Sequence, residues 1–221
     1  NQRNIVVSDQ SGKSNIISRL KTIGIEVDNE DPKIKKILNE VKDREFIGYS
    51  YDGADASFEL LARRIIGEIP TYLTISEYDV SVKKNNKGKI ISIAKAHILV
   101  DGNEVVCEGE GNGPVNALDN AIRKNVDKVG KYSKYLKDLK LVDYKVRILN
   151  TGTEAITRVS IESTDSKGKN WFTIGVSTNI IEASFKALID SLDYKLFKEQ
   201  APASKLWVFL MFISYYINHN C

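Results

Sequence analysis

The segment Gly109-Glu-Gly-Asn-Gly-Pro-Val-Asn-Ala117 has the composition of a ligand-binding turn. Glycines between a strand and a helix let a ligand approach the backbone, and the unpaired amides of the helix that follows attract an anion such as a carboxylate. The same glycines would equally serve a tight turn with no ligand, and the residues leave both readings open. The dinucleotide fingerprint GxGxxG is not met, because Pro114 stands where its last glycine belongs. Gly12-Lys13-Ser14 is like the end of a phosphate-binding loop, but Val7 occupies the place of that loop's first glycine, which argues against nucleotide binding. His97 and His219 are the two histidines, too few for a histidine-based metal site, and His97 reads as a surface or half-buried strand residue. Asp52, Asp55 and Glu59 could pass for an acid/base set, although capping and a solvated helix face explain them better. No nucleophile has a base at a recognisable spacing, so no catalytic residue is expected.

Composition narrows the partners. Of 221 residues, 42% are hydrophobic, enough to bury a substantial core. The net charge of +3 arises from near balance, with no basic block interleaved with aromatics, which excludes nucleic acid as a first reading. Cys107 lies in an apolar strand pattern and Cys221 is terminal, so neither a disulfide framework nor a metal knuckle is expected, and a reducing, cytoplasmic setting fits. The opening Asn1-Gln2-Arg3-Asn4 has no start methionine and no apolar signal core, as expected for a piece of something longer. Leu206–Ile217 is apolar for 12 residues, short of the roughly 20 that span a membrane. Residues 199–221 are therefore expected to be a disordered or non-native tail, and no membrane partner is expected.

The elements that must position the turn follow from periodicity. Ile5-Val6-Val7 is a strand candidate, and Ile16, Leu20 and Ile23 make one helical stripe. Asp31-Pro32 supplies a cap and a first-turn proline for a helix burying Ile34, Ile37, Leu38 and Val41. A third helix follows Gly53, with Asp55 near its N-cap and Phe58, Leu61 and Ile65 inward. These helices have thin cores and need another surface to pack on.

From about Pro70 the period switches to alternation, through Tyr72, Thr74, Tyr78, Val80 and Val82. Asn85-Asn86-Lys87-Gly88 turns this strand into Ile90–Val100, and Asp101-Gly102 turns that into Glu104–Gly109. Pro114 then opens a helix with Val115, Leu118, Ile122, Val126 and Val129 on one face. The unit recurs as strands Val142–Leu149, Ile156–Ser163 and Trp171–Val176 and a helix carrying Ile181, Phe185, Leu188 and Leu192. A shift of 66 positions superposes Gly102 on Gly168, Gly109 on Gly175, Ala117 on Ala183 and Ala121 on Ala187. The expected fold is α+β, with a helical linker subdomain over 1–68 and a duplicated βββα domain over 69–198. A sheet covered on one face still exposes surface and edges, so the two units should pack together or pair across a dimer.

Four ordered segments carry a family resemblance. Val7-Ser-Asp-Gln-Ser-Gly-Lys-Ser-Asn15, Gly53-Ala-Asp-Ala-Ser-Phe-Glu-Leu-Leu61, Glu110-Gly-Asn-Gly-Pro-Val-Asn-Ala117 and Gly175-Val-Ser-Thr-Asn-Ile-Ile-Glu-Ala-Ser184 resemble successive motifs of citramalate synthases, grouped with the isopropylmalate and homocitrate synthases. The likeness runs from residue 1 to about Phe197. It implies a parent acyltransferase whose N-terminal TIM barrel, absent here, binds a divalent metal and condenses acetyl-CoA with pyruvate, so that this chain alone is inactive and holds no cofactor. It implies a linker and a C-terminal regulatory domain that forms a homodimer and binds a feedback amino acid, isoleucine in this branch and leucine in its sister. Carried over by position, the effector-binding residues are Gly111, Gly113, Pro114 and Asn116 in the first unit and Gly175, Val176, Ser177 and Asn179 in the second, meeting across the dimer.

Overall fold

The computed structural model describes residues 13–26, 31–149 and 155–203. The strand expected at Ile5–Val7, most of the Val7–Asn15 motif, the apolar stretch Leu206–Ile217, His219 and Cys221 lie outside the described residues. Helix α1 covers 13–22. Helix α2 is Pro32–Phe46, entered through Asp31, whose carboxylate accepts from the Lys33 amide at 2.8 Å. Helix α3 is Asp55–Ile66 and closes on Gly67 at φ 81, the left-handed conformation a helix end commonly adopts. Asp55 does not cap it: Ala54 is the N-cap, and the Asp55 carboxylate accepts from Arg19 Nη2 at 2.8 Å.

Strands β1 (Thr74–Lys84), β2 (Ile90–Val100) and β3 (Asn103–Gly111) form one antiparallel meander followed by helix α4 (Pro114–Lys124). Strands β4 (Lys140–Ile148), β5 (Thr157–Thr164) and β6 (Asn170–Ser177) form the second, followed by helix α6 (Ile180–Lys198). The duplication extends to irregularities: β1 bulges between Ile75 and Glu77, and β4 between Leu141 and Asp143, 66 positions on. The middle strands depart from that shift by one. The buried run Ser92, Ala94, Ala96, Ile98 and Val100 returns as Thr157, Val159, Ile161, Ser163 and Asp165, a shift of 65. The missing position is regained in the next turn, because Asp101 (φ 53) and Gly102 (φ 82) close the first hairpin in two residues whereas the second needs Ser166, Lys167 and Gly168.

Two glycines set how closely each helix lies on its sheet. A Cβ at Gly109 would sit 2.7 Å from the Ala117 carbonyl oxygen and collide with the Ala121 amide; one at Gly175 would collide with the Ala183 carbonyl and sit 2.9 Å from the Ala187 amide. Both units therefore need glycine on the strand and alanine on the helix at the same crossing. The paired units share one core, joining Ala96, Ile98 and Leu118 to Ile161, Leu188 and Leu192.

The stripe expected to carry α4 on to Val129 breaks at Asn125. Its side-chain amide donates to the carbonyls of Glu108 and Ala121, both at 2.8 Å, taking a helix-end acceptor. A 3-10 stretch Val126–Tyr132 and the short helix α5 (Ser133–Leu136) follow.

Helices α1 to α3 build a second core that borrows Ile174 from β6. The Gly48 carbonyl accepts from Arg158 Nε at 2.6 Å, and Gly48 lies close against the side chains of Leu149, Ile156 and Val176. The outer face of the second sheet thus supplies what the thin helical core lacks. At the matching positions of the first sheet stand Glu108 and Glu110, both exposed.

Candidate functional site

The first glycine turn delivers the chain from β3 to α4. Gly111 is closed in by its own helix, since a Cβ there would meet the Ala117 amide and Asn116 Oδ1, each at 2.5 Å. Gly113 is the N-cap of α4, extended at φ −155, with open space around it. Pro114 follows in the first turn, and no side chain caps the helix. Asn116 turns back instead, its Oδ1 accepting from the Asn112 amide at 3.3 Å. A helix N-terminus without a capping side chain presents free N–H groups and the positive end of the helix dipole.

The second turn has already been filled by the chain. Gly175 serves the helix crossing, and Val176 is buried beneath the linker. Asn179 caps α6, its Oδ1 accepting from the Ile181 and Glu182 amides at 2.8 and 3.3 Å. Lys186, aided by Ser177 Oγ donating at 2.9 Å, holds the Glu182 carboxyl below its usual range.

Beside the open turn is a cavity of about 380 Å³ between α4 and β4, lined by Val115, Asn116, Asp119, Arg123, Leu141 and Tyr144. Asp119 is 5% exposed and accepts from Arg123 Nε at 2.7 Å, with a second bond from Arg123 Nη2. The Tyr144 hydroxyl lies 2.9 Å from Ser184 Oγ on α6, and burial pushes its pKa up. Of the carried-over residues, Asn116 alone lines this cavity, and the wall facing it is β4. Asp119, Arg123, Leu141 and Tyr144 were missed because i,i+4 ion pairs and alternating strands are ordinary scaffold features.

Helix α6 is bound to α3 along a polar seam. Arg64 donates to Asp190 at 2.8 Å and to Asp193 at 2.7 Å, and Ser57 Oγ donates to Asp190 while accepting from the Ile174 amide. Burial pushes the Asp193 carboxyl up to about 7, and its Oδ1 has no hydrogen-bond partner. Glu59 is buried rather than solvated, accepting from Arg63 at 2.9 Å and Lys198 at 2.8 Å, so it belongs to this seam and to no acid/base set. Among the described residues no group of three or more His, Cys, Asp or Glu side chains is placed to hold a metal ion. No described helix is long and apolar enough to cross a membrane.

Residues 52–196 match the model of the LeuA allosteric (dimerisation) domain. The chain belongs to that family. Within the LeuA domain frame, the two βββα units and their shared core are the matched portion, and α3 lies inside its boundary. A protein of Aquifex aeolicus named (R)-citramalate synthase is 44% identical over 203 residues, covering 90% of this chain and 38% of the relative. One of that name from Geobacter sulfurreducens is 43% identical, covering 93% of this chain and 39% of the relative. A probable 2-isopropylmalate synthase of Methanopyrus kandleri is 27% identical, covering 85% and 36%. This LeuA-domain chain thus spans well under half the length of the curated relatives it matches.

Proposed function

We propose that this chain is the regulatory and dimerisation part of a citramalate synthase, binding a branched-chain amino acid as feedback effector, with isoleucine favoured over leucine. The observation that carries the reading is the uncapped N-terminus of α4 beside a cavity of amino-acid scale, within a LeuA allosteric domain. Its amides suit a carboxylate, and Val115, Leu141 and Tyr144 suit an aliphatic side chain. In this reading the condensation of acetyl-CoA with pyruvate, and the divalent metal it uses, belong to a barrel outside this chain, in the cytoplasm. The effector acts by favouring one arrangement of the dimer and linker.

Thermal unfolding with millimolar isoleucine, leucine and valine tests this. A ligand at 100 times its dissociation constant adds about 2.7 kcal/mol, which for a chain of this size is a rise of roughly 5–10 °C. A rise with isoleucine alone supports the citramalate-type sensor. A rise with leucine alone moves the chain to the isopropylmalate branch, for which the Methanopyrus relative speaks. No rise with any of them refutes the effector reading and leaves a dimerisation module.

A further inference from the structure

A cavity of about 700 Å³ lies where the helical linker meets the βββα units, bounded by the end of α2, the start of β1 and α6. Across it α2 stands off from α6, and α3 makes the connection. Helix α3 is built for that place, since its Ala56 and Leu60 belong to the core shared by the two units while Phe58, Leu61 and Ala62 belong to the core of the linker.

The polar part of that connection does not balance. Arg64 donates to both Asp190 and Asp193, and among the described residues it is the one cation that either carboxyl pairs with. Two carboxylates on one guanidinium leave a negative charge over unless a proton takes it. Arg64 and Asp190 line the cavity and are partly exposed there. Asp193, one turn further along α6, is 7% exposed, and its Oδ1 has no partner. A buried charge so poorly matched is costly, and a carboxyl in that position holds a proton instead. The other groups around it do not compensate. Tyr72, ahead of β1, and Tyr132, at the end of the 3-10 stretch, are buried with their rings nearly perpendicular and 5.7 Å apart. Burial pushes both hydroxyls above their ordinary range, so neither ionises near neutrality. Lys131 is held by Asp101, and Arg63 and Lys198 by Glu59. The first unit has no such pair: 66 positions back stand Lys124, the last residue of α4, and Asp127, which is exposed and bound to Lys137 at 3.1 Å.

We propose that the α3–α6 contact is a proton-operated latch, closed while Asp193 is protonated and loosened when it ionises, so that the linker's hold on the βββα domain weakens as pH rises towards neutrality. Opening the latch brings the carboxyl to water, where it ionises more easily than inside, and a proton is released. The open form therefore gains on the closed one by up to about tenfold per pH unit. The cavity beside Arg64 and Asp190 gives the seam room to part without unfolding the sheets.

The experiment is amide hydrogen exchange of the 221-residue chain from pH 5 to 8, read as protection factors corrected for the intrinsic rate, on wild type, Asp193→Asn and Asp190→Asn. In wild type α3 should be less protected than β2, and its protection should fall by up to about tenfold per pH unit and level off near pH 7. Asp193→Asn keeps the shape and cannot ionise, so its α3 protection should not change with pH. Asp190→Asn leaves Arg64 to Asp193 alone, so the fall should level off at a lower pH; this profile decides the matter even if Asp193→Asn does not fold. Protection of α3 that is flat in wild type, or that falls equally in Asp193→Asn, overturns the latch. An unmoved profile in Asp190→Asn overturns the shared-guanidinium account of it. Protection of α3 equal to that of β2 at every pH overturns it as well, because α3 then opens only when the whole chain unfolds.

Discussion

Gly175→Ala tests whether the spacing of glycine and alanine repeated in the two units is there for packing. The added Cβ would collide with the Ala183 carbonyl oxygen and lie 3.0 Å from that residue's carbonyl carbon and 2.9 Å from the Ala187 amide nitrogen. All three are backbone atoms of α6, so no rotamer change relieves the clash, and the helix must lift by roughly 1 Å to restore ordinary van der Waals separations. Forcing extra volume into a packed interior costs about 1–3 kcal/mol, and a backbone obstacle places this case near the upper end. About 3 kcal/mol corresponds to a fall of roughly 6–12 °C in melting temperature for a chain of this length. The control is Gly113→Ala, where the backbone is extended and nothing lies within 4 Å, so stability should hold within about 0.5 kcal/mol. Urea unfolding and calorimetry on both variants decide the matter. If Gly175→Ala were as stable as wild type, or the two substitutions cost the same, the packing argument would be wrong.

Three further outcomes follow from the seam and the surface. Arg64→Ala leaves Asp193 buried without its partner and should destabilise by about 2 kcal/mol, a figure held down because the Arg64 side chain is 38% exposed; an unchanged urea midpoint would count against the seam. Because Asp193 titrates at about 7 when folded and near 4 when unfolded, its contribution is full below about pH 4 and is lost as pH rises through 7. The stability of wild type relative to Asp193→Asn should therefore fall between pH 4.5 and 7.5, and a constant difference would disprove the shift. Val82 and Ile148, at matching positions of β1 and β4, are 56% and 71% exposed at the hairpin ends; Val82→Lys with Ile148→Lys should weaken self-association in sedimentation without changing the melting temperature of the monomer, whereas undiminished association would remove this stripe from the dimer contact.

What was legible in the residues and what was not divides along physical lines. The Asp31-Pro32 start, the Asp101-Gly102 turn and the period of 66 were readable because each depends on local backbone preference or on repetition. The purpose of the glycines was not, since tight turn, ligand approach and helix contact all ask for the same absent side chain. Gly109 and Gly175 resolve to helix contact, Gly111 to the returning Asn116, and Gly113 has free space around it. Glu59 looked solvated because a lone helix carboxylate ordinarily faces water, yet Lys198, 139 positions away, neutralises it in the seam. The cavity was invisible for a similar reason: Asp119, Arg123, Leu141 and Tyr144 each suit an ordinary helix or strand, and only the packing of α4 beside β4 brings them to one wall. The end of α4 was missed because Asn125 acts through side-chain bonds that no apolar periodicity records.

The contrast between Ile174 and Val176 on one sheet and Glu108 and Glu110 on the other bears on how the two repeats can change over generations. Their strand registers repeat, yet the two outer faces carry unequal packing. On the outer face of the first sheet most polar replacements at 108 and 110 would go unnoticed, whereas the same replacements at 174 and 176 would unseat the helices that lie there. Identical scaffolds with unequal tolerance drift apart at unequal speed, so the first repeat is the freer to diversify at its outward face and the second is held near its present form by its tenants.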